Sequence, residues 1–145
     1  MKTEELEEYM MRDEYIREYY GGVVARDQLP VVIQKPSIFI VNSDPAGLPG
    51  KHWLAVFFTT VNEHFDSAGF YPIAALEAEL ISHGPRFQYN DKRVQAYRSD
   101  TCGLFCLFYC YFRCRGYMFS EIINMFSDNL QINEHVVEQF YQWTK

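Results

Sequence analysis

The sequence predicts an α+β fold, a central mixed β-sheet flanked by helices, in one domain spanning residues 1–145. Three observations carry this. Ser37–Asn42 and the run from Lys51 to Val61 are rich in β-branched and aromatic residues and apolar at successive positions, as central strands covered on both faces are. Thr3–Tyr20 and Asn133–Trp143 instead place apolar residues at helical spacing. The segment from Cys102 onward is apolar almost all round, which is expected of a buried helix. A chain of 145 residues with 48% hydrophobic content suits one core, and no internal repeat or linker interrupts it.

Taken in order, Thr3–Tyr20 reads as an N-terminal helix with Leu6, Tyr9, Met10, Ile16 and Tyr20 on one side and a solvated acidic face opposite. Gly21-Gly22 is expected to stop that helix. Ser37–Asn42 is the first strand. Ser43–Gly50, rich in Asp, Pro and Gly, is a turn-rich loop delivering His52 to the start of the next strand. After a tight connection through Val61 and Asn62, a short strand ends at Asp66. Pro72–His83 reads as a helix with Pro in its first turn, ended by Gly84-Pro85. Arg86–Asn90 and Arg93–Tyr97 are strand candidates, the second leading toward the buried helix. Ser99, Asp100 and Thr101 are all good N-cap residues for that helix. Phe119–Phe126 and Asn133–Trp143 close the chain as two amphipathic helices.

The chemistry gathers at four residues. Cys102 falls in the first turn of the buried helix, where free backbone N–H groups and the positive end of the helix dipole favour thiolate and lower a free-thiol pKa of roughly 8.5. Gly103 removes a side chain that would crowd an incoming carbonyl. Gln95, seven positions before Cys102, is placed for its side-chain N–H to join the Cys102 backbone N–H in holding an oxyanion. A thiolate nucleophile needs an imidazole to hold the ion pair and protonate the leaving amine, and the imidazole needs an acceptor to fix its tautomer. His52 at the start of one strand and Asp66 at the end of its hairpin partner meet that need. His64, His83 and His135 lack such context and read as ordinary polar positions.

His52-Trp53 opening a strand, Phe65-Asp66 ending the next, Gln95, and Cys102-Gly-Leu-Phe-Cys106 together resemble the adenain family of cysteine proteases, including relatives from large DNA viruses and virus-like DNA transposons. The resemblance covers roughly Gly22 to Phe119, and Gly22–Pro30 is similar to the family's segment leading to the first strand. It implies that His52 is the general acid/base, Asp66 orients it, Cys102 is the nucleophile and Gln95 the oxyanion donor, with Trp53 and Gly103 beside the substrate. Adenovirus members typically carry Glu where Asp66 stands, whereas proteases of ubiquitin-like modifiers carry Asp. Histidine and acid precede cysteine, the reverse of papain-type enzymes. The implied activity is a thiol endopeptidase that cleaves viral or virus-like precursor proteins at small or glycine-containing sites during particle maturation, in the host nucleus and virion.

No metal and no cofactor is required for this chemistry. The family's activation by a disulfide-tethered peptide or by DNA finds no support here, because no cysteine precedes Cys102 and the formal net charge is −6. Arg86, Lys92, Arg93 and Arg98 form a basic patch of unassigned role. Cys106, Cys110 and Cys114 repeat every fourth residue, a stripe suited to reduced core thiols and neither to tetrahedral zinc nor to disulfides, which points to an intracellular setting. With no apolar run of about twenty residues and an acidic start, a soluble, unsecreted monomer is expected, without membrane partners. Two alternatives stand beside the endopeptidase: removal of ubiquitin or a ubiquitin-like modifier after Gly-Gly, and a noncatalytic scaffold or nucleic-acid-binding module.

Overall fold

The computed structural model describes residues 1–44, 46–47 and 52–145, so positions 45 and 48–51 of the turn-rich loop before His52 lie outside the described residues. Among the described residues, strands β1 (Tyr20–Ala25), β2 (Ser37–Asn42), β3 (Trp53–Phe58), β4 (Asn62–Phe65) and β5 (Phe87–Tyr89) form one mixed sheet in sequence order. The outer pairs β1–β2 and β4–β5 are parallel, and the inner pairs β2–β3 and β3–β4 are antiparallel. The α+β architecture is therefore the one the sequence predicts.

Strand alternation divides the interior in two. Ile38, Ile40, Ala55 and Phe57 point to one face, where they meet the central helix α4 (Cys102–Cys114) and the N-terminal helix α1 (Thr3–Arg12). Phe39, Val41, Leu54, Val56 and Phe58 point to the other, against Leu76 and Leu80 of α3 (Ala74–Ser82). α5 (Phe119–Ile123) and α6 (Leu130–Thr144) complete the α4 side through Phe119, Ile122 and Val137. The helix α4 is held to the sheet by a buried ion pair. Glu63 on β4 accepts from Arg113 Nε at 2.9 Å and Nη2 at 2.9 Å, and from the Tyr109 hydroxyl at 2.5 Å.

Four expectations need correction. The N-terminal helix does not run to Tyr20: it breaks at Asp13, whose carboxylate accepts from the N–H groups of Tyr15 and Ile16 and starts the short helix α2 (Glu14–Arg17). The same Asp13 pairs with Arg115 at 2.7 Å, so the break serves a contact with the end of α4. The Gly21-Gly22 pair does not end a helix but lies inside β1, because a Cβ on Gly21 would come 2.4 Å from the Phe39 ring. Arg93–Tyr97 is not a strand: the N–H groups of Val94 and Gln95 both donate to Ser67 O, and that of Ala96 to the Glu134 carboxylate, leaving no ladder to form. Finally, α6 begins earlier than Asn133, since the Asn129 side chain caps it at Gln131 and Ile132.

Candidate active site

β3 starts directly after His52, and Asp66 follows directly on β4. In the antiparallel register Ala55 faces Phe65, so these two flanking residues meet at one end of the sheet. His52 Nε2 lies 2.6 Å from Asp66 Oδ1, which leaves Nδ1 as the ring nitrogen available to a second partner. Asp66 is itself fixed. Its Oδ1 accepts from Ala68 N–H at 2.8 Å, while Asn90 accepts from Asp66 N–H at 3.0 Å and donates to the Asp66 carbonyl at 2.6 Å. Nothing in the sequence pattern marks Asn90, since its partner lies 24 residues away.

Cys102 opens α4 as expected and is 7% exposed. Thr101 occupies the N-cap, but its hydroxyl donates to Glu134 at 2.7 Å and does not cap the helix. Sγ accepts the Trp53 backbone N–H at 3.3 Å, tying α4 to the start of β3. Burial alone would push the Cys102 thiol up, yet His52 and the Trp53 N–H together hold it below the ordinary thiol value. Burial alone would likewise push His52 down, while Asp66 and Cys102 favour its protonated form and hold its pKa up at about 10. Opposite shifts in two adjacent groups are the electrostatic signature of a thiolate–imidazolium pair. Such a pair can attack a carbonyl and then return a proton to the leaving group.

Gln95 reaches the same wall of the cleft as His52 and Asp66. Its Oε1 accepts from Ser67 Oγ at 2.5 Å, and its Nε2 donates to Ser99 O at 3.0 Å and Ser99 Oγ at 2.9 Å. Its amide is thus held by Ser99 and not presented to an empty position. The surrounding loop is clamped from α6: Glu134 accepts from Ala96 N–H, Ser99 Oγ and Thr101 Oγ1 at 2.8, 3.1 and 2.7 Å, and Asn133 Nδ2 donates to Val94 O at 3.0 Å. Sequence reasoning missed both, because polar residues on an amphipathic helix look like its wet face. We expect Glu134→Ala to cost ~1–3 kcal/mol by taking the acceptor from the Ala96 N–H and the Thr101 hydroxyl, and Glu134→Gln to recover most of it. Urea unfolding of the two variants checks this.

On the other flank, Met1 covers the site. The Trp53 indole N–H donates to Met1 O at 3.0 Å, and a Cβ added to Gly103 would lie 3.2 Å from Met1 Cβ. Trp53 and Gly103 are therefore adjacent to Cys102 and contact the chain's own first residue. Two members of the basic patch have partners within the fold: Lys92 pairs with Asp128 at 3.2 Å, and Arg93 donates to Gln95 O while its guanidinium lies 4.1 Å from the Tyr97 ring centroid. Cys106, Cys110 and Cys114 lie buried and free in the core, and burial pushes each of these thiols up. His83 pairs with Glu79 at 3.5 Å and His135 is exposed. His64 is not an ordinary polar position: it is 1% exposed, and neither ring nitrogen has a partner among the described residues.

No family model and no curated protein matches the sequence. Solved structures do match. The ASFV pS273R protease aligns with 84% of this chain at a TM-score of 0.59 and 19% identity, and this chain spans 60% of that protein's length. The SUMO protease Ulp1 aligns with 94% of this chain and 76% of its own at a TM-score of 0.50 and 13% identity. The central domain of the Lpg1148 protein from Legionella pneumophila aligns over 100% of this chain and 98% of its own at a TM-score of 0.51 and 15% identity. The fold is thus one shared by a viral and a SUMO cysteine protease. No described helix is long and apolar enough to cross a membrane.

Proposed function

We propose that this protein is a cysteine endopeptidase with Cys102 as nucleophile, His52 as general acid/base, Asp66 as the group orienting His52, and Gln95 as oxyanion donor. The observation that carries the reading is the 2.6 Å contact of His52 Nε2 with Asp66 Oδ1, beside a Cys102 sulfur that the N–H of His52's chain neighbour Trp53 holds at 3.3 Å. In the reaction, Cys102 Sγ attacks the carbonyl carbon and the carbonyl electron pair moves onto oxygen, where one Gln95 N–H transfers to it from Ser99 Oγ. The tetrahedral species collapses, the C–N bond breaks, and imidazolium gives its proton to the leaving amine. Water, losing its proton to neutral His52, then hydrolyses the thioester. A polypeptide entering over Gly103 displaces Met1.

The substrates we propose are viral or virus-like precursor proteins cut at small, glycine-containing sites, in the host nucleus and virion, with no metal or cofactor and by a monomer. The fold likeness to pS273R and the covered small residue at Gly103 support this. Asp66 and the Ulp1 likeness favour a second reading, release of a ubiquitin-like modifier after Gly-Gly. Incubation with a precursor peptide and with a ubiquitin-like fusion separates the two: cleavage of the fusion alone would transfer the assignment to the second.

The pH profile follows from the two shifts. Cleavage should fall at low pH as the Cys102 thiolate is protonated, below the ordinary thiol range, and fall again at high pH as His52 loses its proton near about 10. The raised His52 pKa also contributes fold stability, fully present below its ordinary value and lost as pH rises through about 10. Initial rates across pH check the first statement; a high-pH limb falling near 7 contradicts it.

A further inference from the structure

We propose that the cleft on the far side of His52 from Cys102 binds the polypeptide segment that leaves after cleavage, and that it selects an apolar residue immediately after the scissile bond. This rests on the cysteine protease reading and specifies its substrate. The cleft has a volume of about 460 Å³ and is lined by Leu54, Phe70, Tyr71 and Ile73 together with His52 and Arg93. That volume is in the range of sites that enclose a ligand group.

Direction comes from the proton. The general acid must reach the leaving nitrogen, so the leaving chain exits past His52. The opposite flank, at Trp53 and Gly103, is where Met1 lies and where the acyl part of a substrate belongs.

Selectivity comes from the walls. Phe70 and Tyr71 are 67% and 50% exposed, an unusual display of rings beside a catalytic histidine. Tyr71 is already ordered, meeting the Tyr89 and Phe87 rings edge-on at 5.0 and 5.9 Å between centroids and donating its hydroxyl to Glu77. A side chain entering between Leu54, Phe70 and Ile73 would gain apolar contact without having to order that wall.

The test uses the full chain and two peptides with the same acyl side, Leu-Ala-Gly-Gly, followed by Leu in one and Ser in the other, read as the ratio of their kcat/KM values. We expect a ratio of about tenfold or more in favour of Leu, the scale of a side chain seated in an apolar pocket. Phe70→Ala, a change at an exposed position, should bring the ratio close to one. Cleavage of both peptides at equal rates, or an unchanged ratio in Phe70→Ala, overturns the leaving-chain site and leaves the protease reading standing. Cleavage of neither, with Cys102 unlabelled by a glycine-ended thiol probe, overturns both.

Discussion

Replacing His52 by alanine is expected to lower peptide cleavage by ~10⁴–10⁶-fold and to return the Cys102 thiol toward its ordinary pKa or above it. Burial acts on Cys102 in the raising direction, and His52 is the largest of the influences that overcome it. Without the imidazole, the Trp53 N–H remains as a weak donor at 3.3 Å. Thiolate absorbance against pH reads the shift directly. Cys106, Cys110 and Cys114 do not obscure it, since burial pushes all three upward, Cys114 to about 12. A titration that His52→Ala leaves in place would mean that the helix terminus, and not the imidazole, sets the thiol.

The second large effect lies away from the cleft. Glu63→Ala should destabilise the fold by ~3–5 kcal/mol, because it strands the Arg113 guanidinium and leaves the Tyr109 hydroxyl without its acceptor. Glu63 is 1% exposed, and the Tyr109 ring stacks on Phe65 at 5.1 Å, one residue before Asp66. The pair therefore joins α4, which Cys102 opens, to β4, which Asp66 follows. A domain with 5–15 kcal/mol in total has little left after such a loss. Replacing Glu63 by Leu and Arg113 by Met together removes both charges and should cost much less than Glu63→Ala. Urea denaturation of the three proteins decides; a loss under ~1 kcal/mol for Glu63→Ala would show the ion pair to be incidental.

What the sequence made legible is what local pattern encodes. β2 and β3 are apolar at successive positions because both faces are covered, and α4 is apolar all round because it lies between the sheet and α6. Cys102 at a helix start, and His52 and Asp66 at the two ends of a hairpin, are also local facts combined with one antiparallel pairing. What stayed hidden depends on contacts between distant segments. Asp13 reads as one more acid in an acidic helix until its bonds to Ile16 and Arg115 are seen. Gly21-Gly22 reads as a helix stop, and only the Phe39 ring packed against Gly21 and the φ of +151° at Gly22 show why glycine stands at each position where β1 passes. Val94–Ala96 alternates well enough for a strand, but its backbone groups are taken by Ser67, Asn133 and Glu134. His64 follows strand alternation like any polar residue, and its unpartnered nitrogens cannot be inferred from spacing.

The most direct test of the central claim, that the sulfur of Cys102 and the imidazole of His52 work as one reactive pair, is covalent labelling with a peptide-based thiol probe ending in glycine, followed by mapping of the adduct. The account predicts a single adduct at Cys102, formed rapidly in the unaltered chain and lost in His52→Ala. An adduct on Cys106, Cys110 or Cys114, or equal labelling with and without the imidazole, would contradict it.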